Sequence, residues 1–263
     1  MAKIKNLTVL RNPHPEQHER HKILVSIPFT GLVRFEWHMA MQGILYPTNW
    51  LHTTFCPAGF EVGVARNEAV QAALQGDFDW LFFIDHDVLL PPDIYIKLRK
   101  YMTAGDKPVV AGLYYTKAST PEPLIYRGRG TGPYYDWSPG DGVWADATGM
   151  GCTLINMRLF RAMKPPWFVT PRDFSIDASG YSRATGTEDI YWYDRVINEG
   201  VIEKAGFKIP DPKLPVYVDT SIMCEHVDND GRRFPSCMEG AHLVNHQAAL
   251  KAIGKRPKRM KSA

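Results

Sequence analysis

The 263-residue chain is poor in cysteine, with four in all and no Cys-x-x-Cys pair. That excludes a disulfide framework and agrees with a reducing compartment. No apolar run approaches the ~20 residues that a bilayer-crossing helix requires. The longest, Trp80 to Ile84 and Val88 to Leu90, is broken by Asp85-His86-Asp87. An integral membrane protein of the helical kind is therefore not expected. The opening segment MAKIKNLTVLRNPHPEQHERH has neither an uninterrupted apolar core nor a small-residue cleavage site. It does not read as a secretory leader, so the expected compartment is the cytoplasm. Internal repeats are absent, and low complexity is confined to the C-terminal tail.

A strong charge of one sign is also missing: 31 Lys and Arg face 28 Asp and Glu, for a net +3. Five of the basic residues, Lys255, Arg256, Lys258, Arg259 and Lys261, crowd into the tail. Without them 26 basic residues stand against 28 acidic ones, so the body is mildly acidic. A surface built throughout to grip nucleic acid is thereby disfavoured. The content of 44% hydrophobic residues suits a globular chain of one or two domains.

What is present is a regular alternation of strand and helix signals. Apolar runs predict strands at Ile23 to Ile27, Trp80 to Ile84, Val109 to Leu113 and Cys152 to Ile155, and a further strand is expected around Leu51 to Phe55. Helical spacing predicts helices at Phe35 to Gln42, Val64 to Leu74 (Val64, Val70, Ala73 and Leu74 inward), after Pro92 (Ile94, Leu98, Tyr101 and Met102 inward), Leu159 to Met163 and Glu188 to Asn198. Thr187 is the expected N-cap of the last helix. Such alternation predicts an α/β fold with a mostly parallel sheet covered by helices on both faces. From Tyr114 to Ala147 the chain is rich in Gly, Pro and Tyr without sustained period. It reads as long loops with a short strand at Leu124 to Tyr126.

The sharpest local feature is Asp85-His86-Asp87, placed directly after five apolar strand residues. In open α/β sheets ligands sit at the carboxyl ends of strands, and two carboxylates there suit a hydrated divalent cation completed by substrate phosphates. A strand-end Asp serves equally as a turn or cap residue. Further candidates are Arg66-Asn67 at a helix start, Gly149-Met150-Gly151 before a strand, Thr187-Glu188-Asp189, and His226. Each also has a plain structural reading. Arg66 suits an ion pair with Glu61 or Glu68, Glu188 and Asp189 suit first-turn charges, and His226 suits a strand residue satisfied by backbone. Cys224, His226, Cys237 and His242 match no common structural zinc spacing. Trp137, Trp144, Tyr134 and Tyr135 either stack on a ligand or pin the loops to the core.

Taken in order, these motifs resemble the nucleotide-sugar glycosyltransferases of the GT-A fold, in particular family 2, over about Ile23 to His226. The resemblance implies a Rossmann-like three-layer α/β/α sandwich. Its domain would span residues 23–245, with a nucleotide-binding half at 23–113 and an acceptor and catalytic half at 114–245. A 1–22 extension precedes it, and the basic 246–263 tail follows. The resemblance further implies that Ile27 and Pro28 lie under the base, that Arg66 and Asp85 face the nucleotide, and that Gly149 and Gly151 flank the donor sugar. Asp87 and His226, with Asp85, would hold Mn2+ or Mg2+ against the donor diphosphate. Asp189 looks like the general base of inverting members, with Glu188 positioning it.

The chemistry needs such parts in any case. A departing diphosphate gathers charge that a metal stabilises, and the attacking hydroxyl must lose a proton to a nearby carboxylate. The helix dipole would hold Asp189 acidic, so its strength as a base would come from enclosure by substrate. The expected activity is single-sugar transfer from a nucleoside-diphosphate sugar, UDP favoured, because the Q-x-x-R-W motif of processive enzymes is absent. The acceptor is left open among a glycan, a lipid-linked sugar, a protein and a modified nucleobase of DNA. The tail suits a polyanion such as DNA or an anionic membrane, or is a solubilising extension. The segment Asp228 to Arg233, with Arg232 and Arg233, reads as a lid over the donor or as ordinary solvated loop charge. The alternatives are a haloacid-dehalogenase-like phosphohydrolase, suggested by the D-x-D at a strand end, and a non-enzymatic nucleic-acid-binding module using the tail.

Overall fold

A computed structural model describes residues 21–47, 51–128, 130–173, 183–184 and 186–235 of the chain. Most of the N-terminal extension, the basic tail, Cys237 and His242 lie outside the described residues. In chain order the elements are β1 (Lys22–Ser26), α1 (Phe35–Gln42), β2 (Leu51–Phe55), α2 (Val62–Gln75), β3 (Trp80–Ile84), β4 (Val88–Leu89), α3 (Ile94–Ala104), β5 (Val109–Leu113) and β6 (Gly142–Ala145). There follow β7 (Cys152–Asn156), α4 (Met157–Arg161), β8 (Arg172–Asp173), β9 (Arg183–Ala184), α5 (Glu188–Asn198), α6 (Val201–Lys204), β10 (Val216–Met223), β11 (Glu225–Val227) and β12 (Arg233–Phe234).

The main sheet has seven strands in the order β2-β1-β3-β7-β5-β10-β6. Strands β2, β1, β3, β5 and β10 run one way, while β7 and β6 oppose their neighbours. The alternation of side chains along each strand divides the core in two. Leu24, Leu81, Phe83, Val109 and Ala111 face one side, under α2, α4, α5 and α6. Ile23, Val25, Trp80, Phe82, Ile84 and Val110 face the other, under α1 and α3. Burial on both faces is why these strands are unbroken apolar runs. Each phenylalanine of β3 contributes about 1.5–3 kcal/mol relative to exposure. The result is the Rossmann-like α/β/α sandwich with a mostly parallel sheet.

Helix α2 lies against the sheet on small residues, Ala65, Ala69, Ala72 and Ala73, together with Val70. Of the expected inward residues Val70 and Ala73 are buried and Leu74 packs against the core, whereas Val64 is exposed. Glu61 caps α2 by accepting from the Val64 amide at 3.1 Å.

Three further features of the structure have physical causes. First, Asp228 to Arg233 turns between β11 and β12, and β11 also pairs with β4 to make a second, three-stranded sheet. Arg232 pairs with Asp228 and Asp230, and Arg233 with Glu225. These arginines thus pair with carboxylates of their own hairpin while staying exposed. Second, Leu124 to Tyr126 forms no strand and makes only isolated bridges from Tyr126 to Pro133 and Ala147, whereas β6 and β10 emerge from stretches with weak local signals. Third, Trp137 is buried and Trp144 packs edge-on against Tyr217 at 5.2 Å, so both pin the 114–147 loops to the core. Of the cysteines, Cys152 and Cys224 are buried thiols and Cys56 is exposed.

Candidate active site

At the carboxyl ends of β1 and β3 the chain leaves a cleft of about 540 Å³. This is the crevice where open α/β sheets take ligands, and its volume lies within the usual range for small-molecule sites. Four segments distant in sequence line it: Pro28 to Thr30 after β1, Phe60 to Arg66 at the start of α2, Asp85 to Asp87 after β3, and Thr187 to Asp189 at the start of α5. Strand β3 places Asp85, whose amide donates to the Gly151 carbonyl at 3.1 Å while its own carbonyl accepts from the Trp37 indole at 3.1 Å. The His86 ring donates through Nδ1 to the Pro28 carbonyl at 3.2 Å, tying the two strand ends together.

A buried ion-pair chain forms the floor. Arg66, only 2% exposed, donates through Nε to Glu188 Oε1 and through Nη2 to Asp85 Oδ1, both at 3.0 Å. Its guanidinium also lies over the Phe83 ring, 5.0 Å from the centroid. Burial works against the Arg66 charge, but the carboxylates of Asp85 and Glu188 outweigh it and hold the guanidinium firmly protonated. The Arg66 Nη1 is buried and has no hydrogen-bond partner among the described residues, a costly state for a donor. Neither Glu61 nor Glu68 is the partner of Arg66. Its neighbour Asn67 points elsewhere, binding the Phe168 carbonyl and the amides of Trp167 and Phe168 at 2.7–3.0 Å.

Glu188 is 7% exposed, and burial pushes its carboxyl up despite the Arg66 charge. Asp189, partly buried, accepts from the Thr187 hydroxyl and from the Ile190 amide at 2.7 Å. Thr187 stands at the N-cap position, but its hydroxyl serves Asp189 rather than the helix amides. Burial raises the Asp189 carboxyl above the ordinary aspartate value, against the Thr187 hydrogen bond and the Arg66 charge. The helix dipole does not prevail here, and the basicity of Asp189 is already elevated in the free chain.

A second cluster surrounds Asp87. Its Oδ2 accepts from Lys117 Nζ at 2.6 Å and faces His226 Nε2 at 3.5 Å. The pairing of β11 with β4, which sets His226 opposite Val88, brings that histidine to Asp87. His226 Nδ1 lies 2.9 Å from the Tyr115 carbonyl, which can only accept, so Nδ1 carries a proton and Nε2 is turned toward Asp87. Burial would raise the Asp87 carboxyl, yet His226 and then Lys117 hold it well below the usual range. Among the described residues no three His, Cys, Asp or Glu side chains gather as a metal cage. Asp87 and His226 form a pair, while Asp85 is engaged by Arg66. A carboxylate and an imidazole oriented by a backbone carbonyl fit a divalent ion that keeps waters and takes phosphate oxygens as its other ligands.

The glycine turn lies behind the cleft. A Cβ at Gly149 would run into the Tyr114 hydroxyl, and one at Gly151 would meet Val88 Cγ2 at 2.7 Å, Tyr114 Oη at 3.0 Å and Asp85 Oδ2 at 3.1 Å. The Gly151 amide donates to Tyr114 Oη at 2.8 Å. Glycine is required there to seat Tyr114 under Asp85, and both glycines are buried rather than lining the cleft. Ile27 likewise belongs to the core, 7% exposed, whereas Pro28 lines the cleft. Sequence reasoning missed Lys117, Tyr114 and Trp37. The first two lie in or beside the irregular 114–147 stretch, where no period marks which side chains turn inward.

No family model matches the chain, and no curated protein matches it. Among solved structures it resembles "A197 from STIV", at 21% identity over 81% of this chain and 93% of that one, with a TM-score of 0.52. This is a likeness of fold. Weaker overlaps occur with residues 1–349 of S. aureus TarS. In complex with UDP-GlcNAc the identity is 10%, over 77% of this chain and 57% of that one, with a TM-score of 0.41. In complex with UDP the TM-score is 0.42 at the same identity, over 77% and 59%.

Proposed function

We propose that the protein is a glycosyltransferase that moves one sugar from a nucleoside-diphosphate sugar, UDP favoured, to an acceptor hydroxyl. The observation that carries this reading is the convergence of Asp85-His86-Asp87 and Thr187-Glu188-Asp189, about a hundred residues apart, on one cleft lined also by Arg66. In this reading the donor diphosphate lies near Asp87 and His226, and the nucleoside extends along Pro28 to Thr30 past Arg66. A bound Mn2+ or Mg2+ on Asp87 and His226 would supply charge stabilisation for the leaving diphosphate. Arg66 fixes Asp85 and Glu188, and thereby the two walls of the cleft. Asp189, with a raised proton affinity, accepts the proton of the attacking hydroxyl at its carboxylate. Attack from the side opposite the leaving group inverts the anomeric centre.

The phosphohydrolase reading fits less well. It needs the second carboxylate of the D-x-D to carry a proton as general acid, and Asp87 is held ionised by His226 and Lys117. A thermal-shift series with nucleotide sugars, sugar phosphates and DNA, with and without Mn2+, tests the proposal. Stabilisation by one nucleotide sugar with Mn2+ is expected, and stabilisation by sugar phosphates or DNA alone would remove it.

A further inference from the structure

We propose that Lys117 is a transferable cation of the diphosphate site, holding Asp87 until metal and donor arrive and then passing to the donor phosphates; this rests on the glycosyltransferase reading. Lys117 Nζ sits 2.6 Å from Asp87 Oδ2, the same oxygen that faces His226 Nε2 at 3.5 Å. A divalent ion held by Asp87 and His226 would draw on the same carboxylate. An ammonium already seated on that oxygen repels the incoming charge. The lysine and a metal would therefore compete for the Asp87 carboxylate.

The loop is built so that the side chain can leave while its backbone stays. Lys117 follows β5 in a turn closed by the Thr116 amide on the Glu122 carbonyl at 2.9 Å, the Leu124 amide on the Tyr114 carbonyl at 3.0 Å, and a bridge between Tyr115 and Pro123. The Lys117 side chain is 25% exposed and swings on a flexible four-carbon stem. A metal arriving alone takes the carboxylate from the ammonium and gives it nothing in return. A diphosphate arriving with the metal offers oxygens to both cations. Lys117 thus makes each ligand favour the other, a coupling that linkage requires to be reciprocal. It also leaves a positive charge beside the departing diphosphate.

Mn2+ binding, followed by the loss of the free-ion electron paramagnetic resonance signal, and UDP binding, followed by calorimetry, test this on the full chain. In the wild type, UDP should tighten Mn2+ strongly. In Lys117→Gln, Mn2+ alone should bind about tenfold more tightly, while the factor by which UDP tightens it shrinks by about tenfold. Lys117→Arg, which keeps a cation, should retain most of the coupling. Lys117→Met, read in the same way, covers the case in which the glutamine variant fails to fold. Unchanged Mn2+ affinity and unchanged coupling in the folded neutral variants would overturn the role of Lys117. Absence of both Mn2+ and UDP binding in the wild type would instead overturn the glycosyltransferase reading, and this proposal with it.

Discussion

Replacing Arg66 with Met keeps the aliphatic stem beside Phe83 but removes the charge shared by Glu188 and Asp85. The side chain of Asp85 is 27% exposed, so water takes over part of its solvation, whereas that of Glu188, at 9%, has little such relief. An unpaired buried carboxylate costs about 3–5 kcal/mol. Glu188 can escape by taking a proton. At pH 7 that costs about 3.7 kcal/mol, from an unfolded glutamate value of about 4.3 and about 1.36 kcal/mol per pH unit. At pH 5 the same escape costs about 1 kcal/mol. The sign follows from linkage: a carboxyl raised in the folded state favours folding when protonated, so the penalty shrinks as pH falls toward the unfolded value. Arg66→Met should therefore lose about 3–4 kcal/mol at pH 7 but only about 1–2 at pH 5, read from urea unfolding of both proteins at each pH. The double variant Arg66→Met, Glu188→Gln should recover most of the loss at pH 7. A penalty independent of pH, or a double variant as unstable as the single one, would refute the reasoning that Arg66 chiefly neutralises Glu188.

Other consequences are open to measurement. Asp189→Asn should bind donor normally while transfer slows by about 10²–10⁴-fold. In the wild type the acid limb of kcat/KM should lie above the ordinary aspartate value, since burial raises Asp189; a limb at or below it would count against this base. Asp87→Ala should lose both Mn2+ binding and metal-dependent donor binding, and calorimetry showing either at wild-type strength would remove the metal assignment. Gly149→Ala drives a methyl into the Tyr114 hydroxyl and should cost about 1–3 kcal/mol, visible as a lowered melting temperature. An unchanged melting temperature would mean that Tyr114 is not seated as described.

The legible part of the fold was the part with period. β3 and β5 fall where apolar runs placed them, because burial on both faces of the sheet leaves a direct mark on sequence, and β2 and α1 also lie where they were expected. The α2 stripe was misjudged at Val64 because alanine and glycine, whose apolar signal is weak, carry the close approach to the sheet. Strand β10 and the hairpin of β11 and β12 went unread, since their pairing with β5, β6 and β4 is set by partners far away in the chain. The candidate site divides in the same way. Arg66, Asp85, Glu188 and Asp189 stand at element ends that punctuation identifies, and the structure brings them together. Gly149, Gly151 and Ile27 were assigned to the ligand but support the protein's own packing, a distinction that depends on where Tyr114 lies. Lys117 was invisible for lack of any local pattern.

The most direct test of the account is the release of nucleoside diphosphate from nucleotide sugars in water, with Mn2+ present and without an added acceptor. The wild type should release it from at least one donor faster than buffer does, the release should stop on chelation, and Asp87→Ala should be silent. Wild-type protein no faster than buffer across the donors, or release that persists in Asp87→Ala, would contradict the claim that this cleft handles a nucleotide sugar.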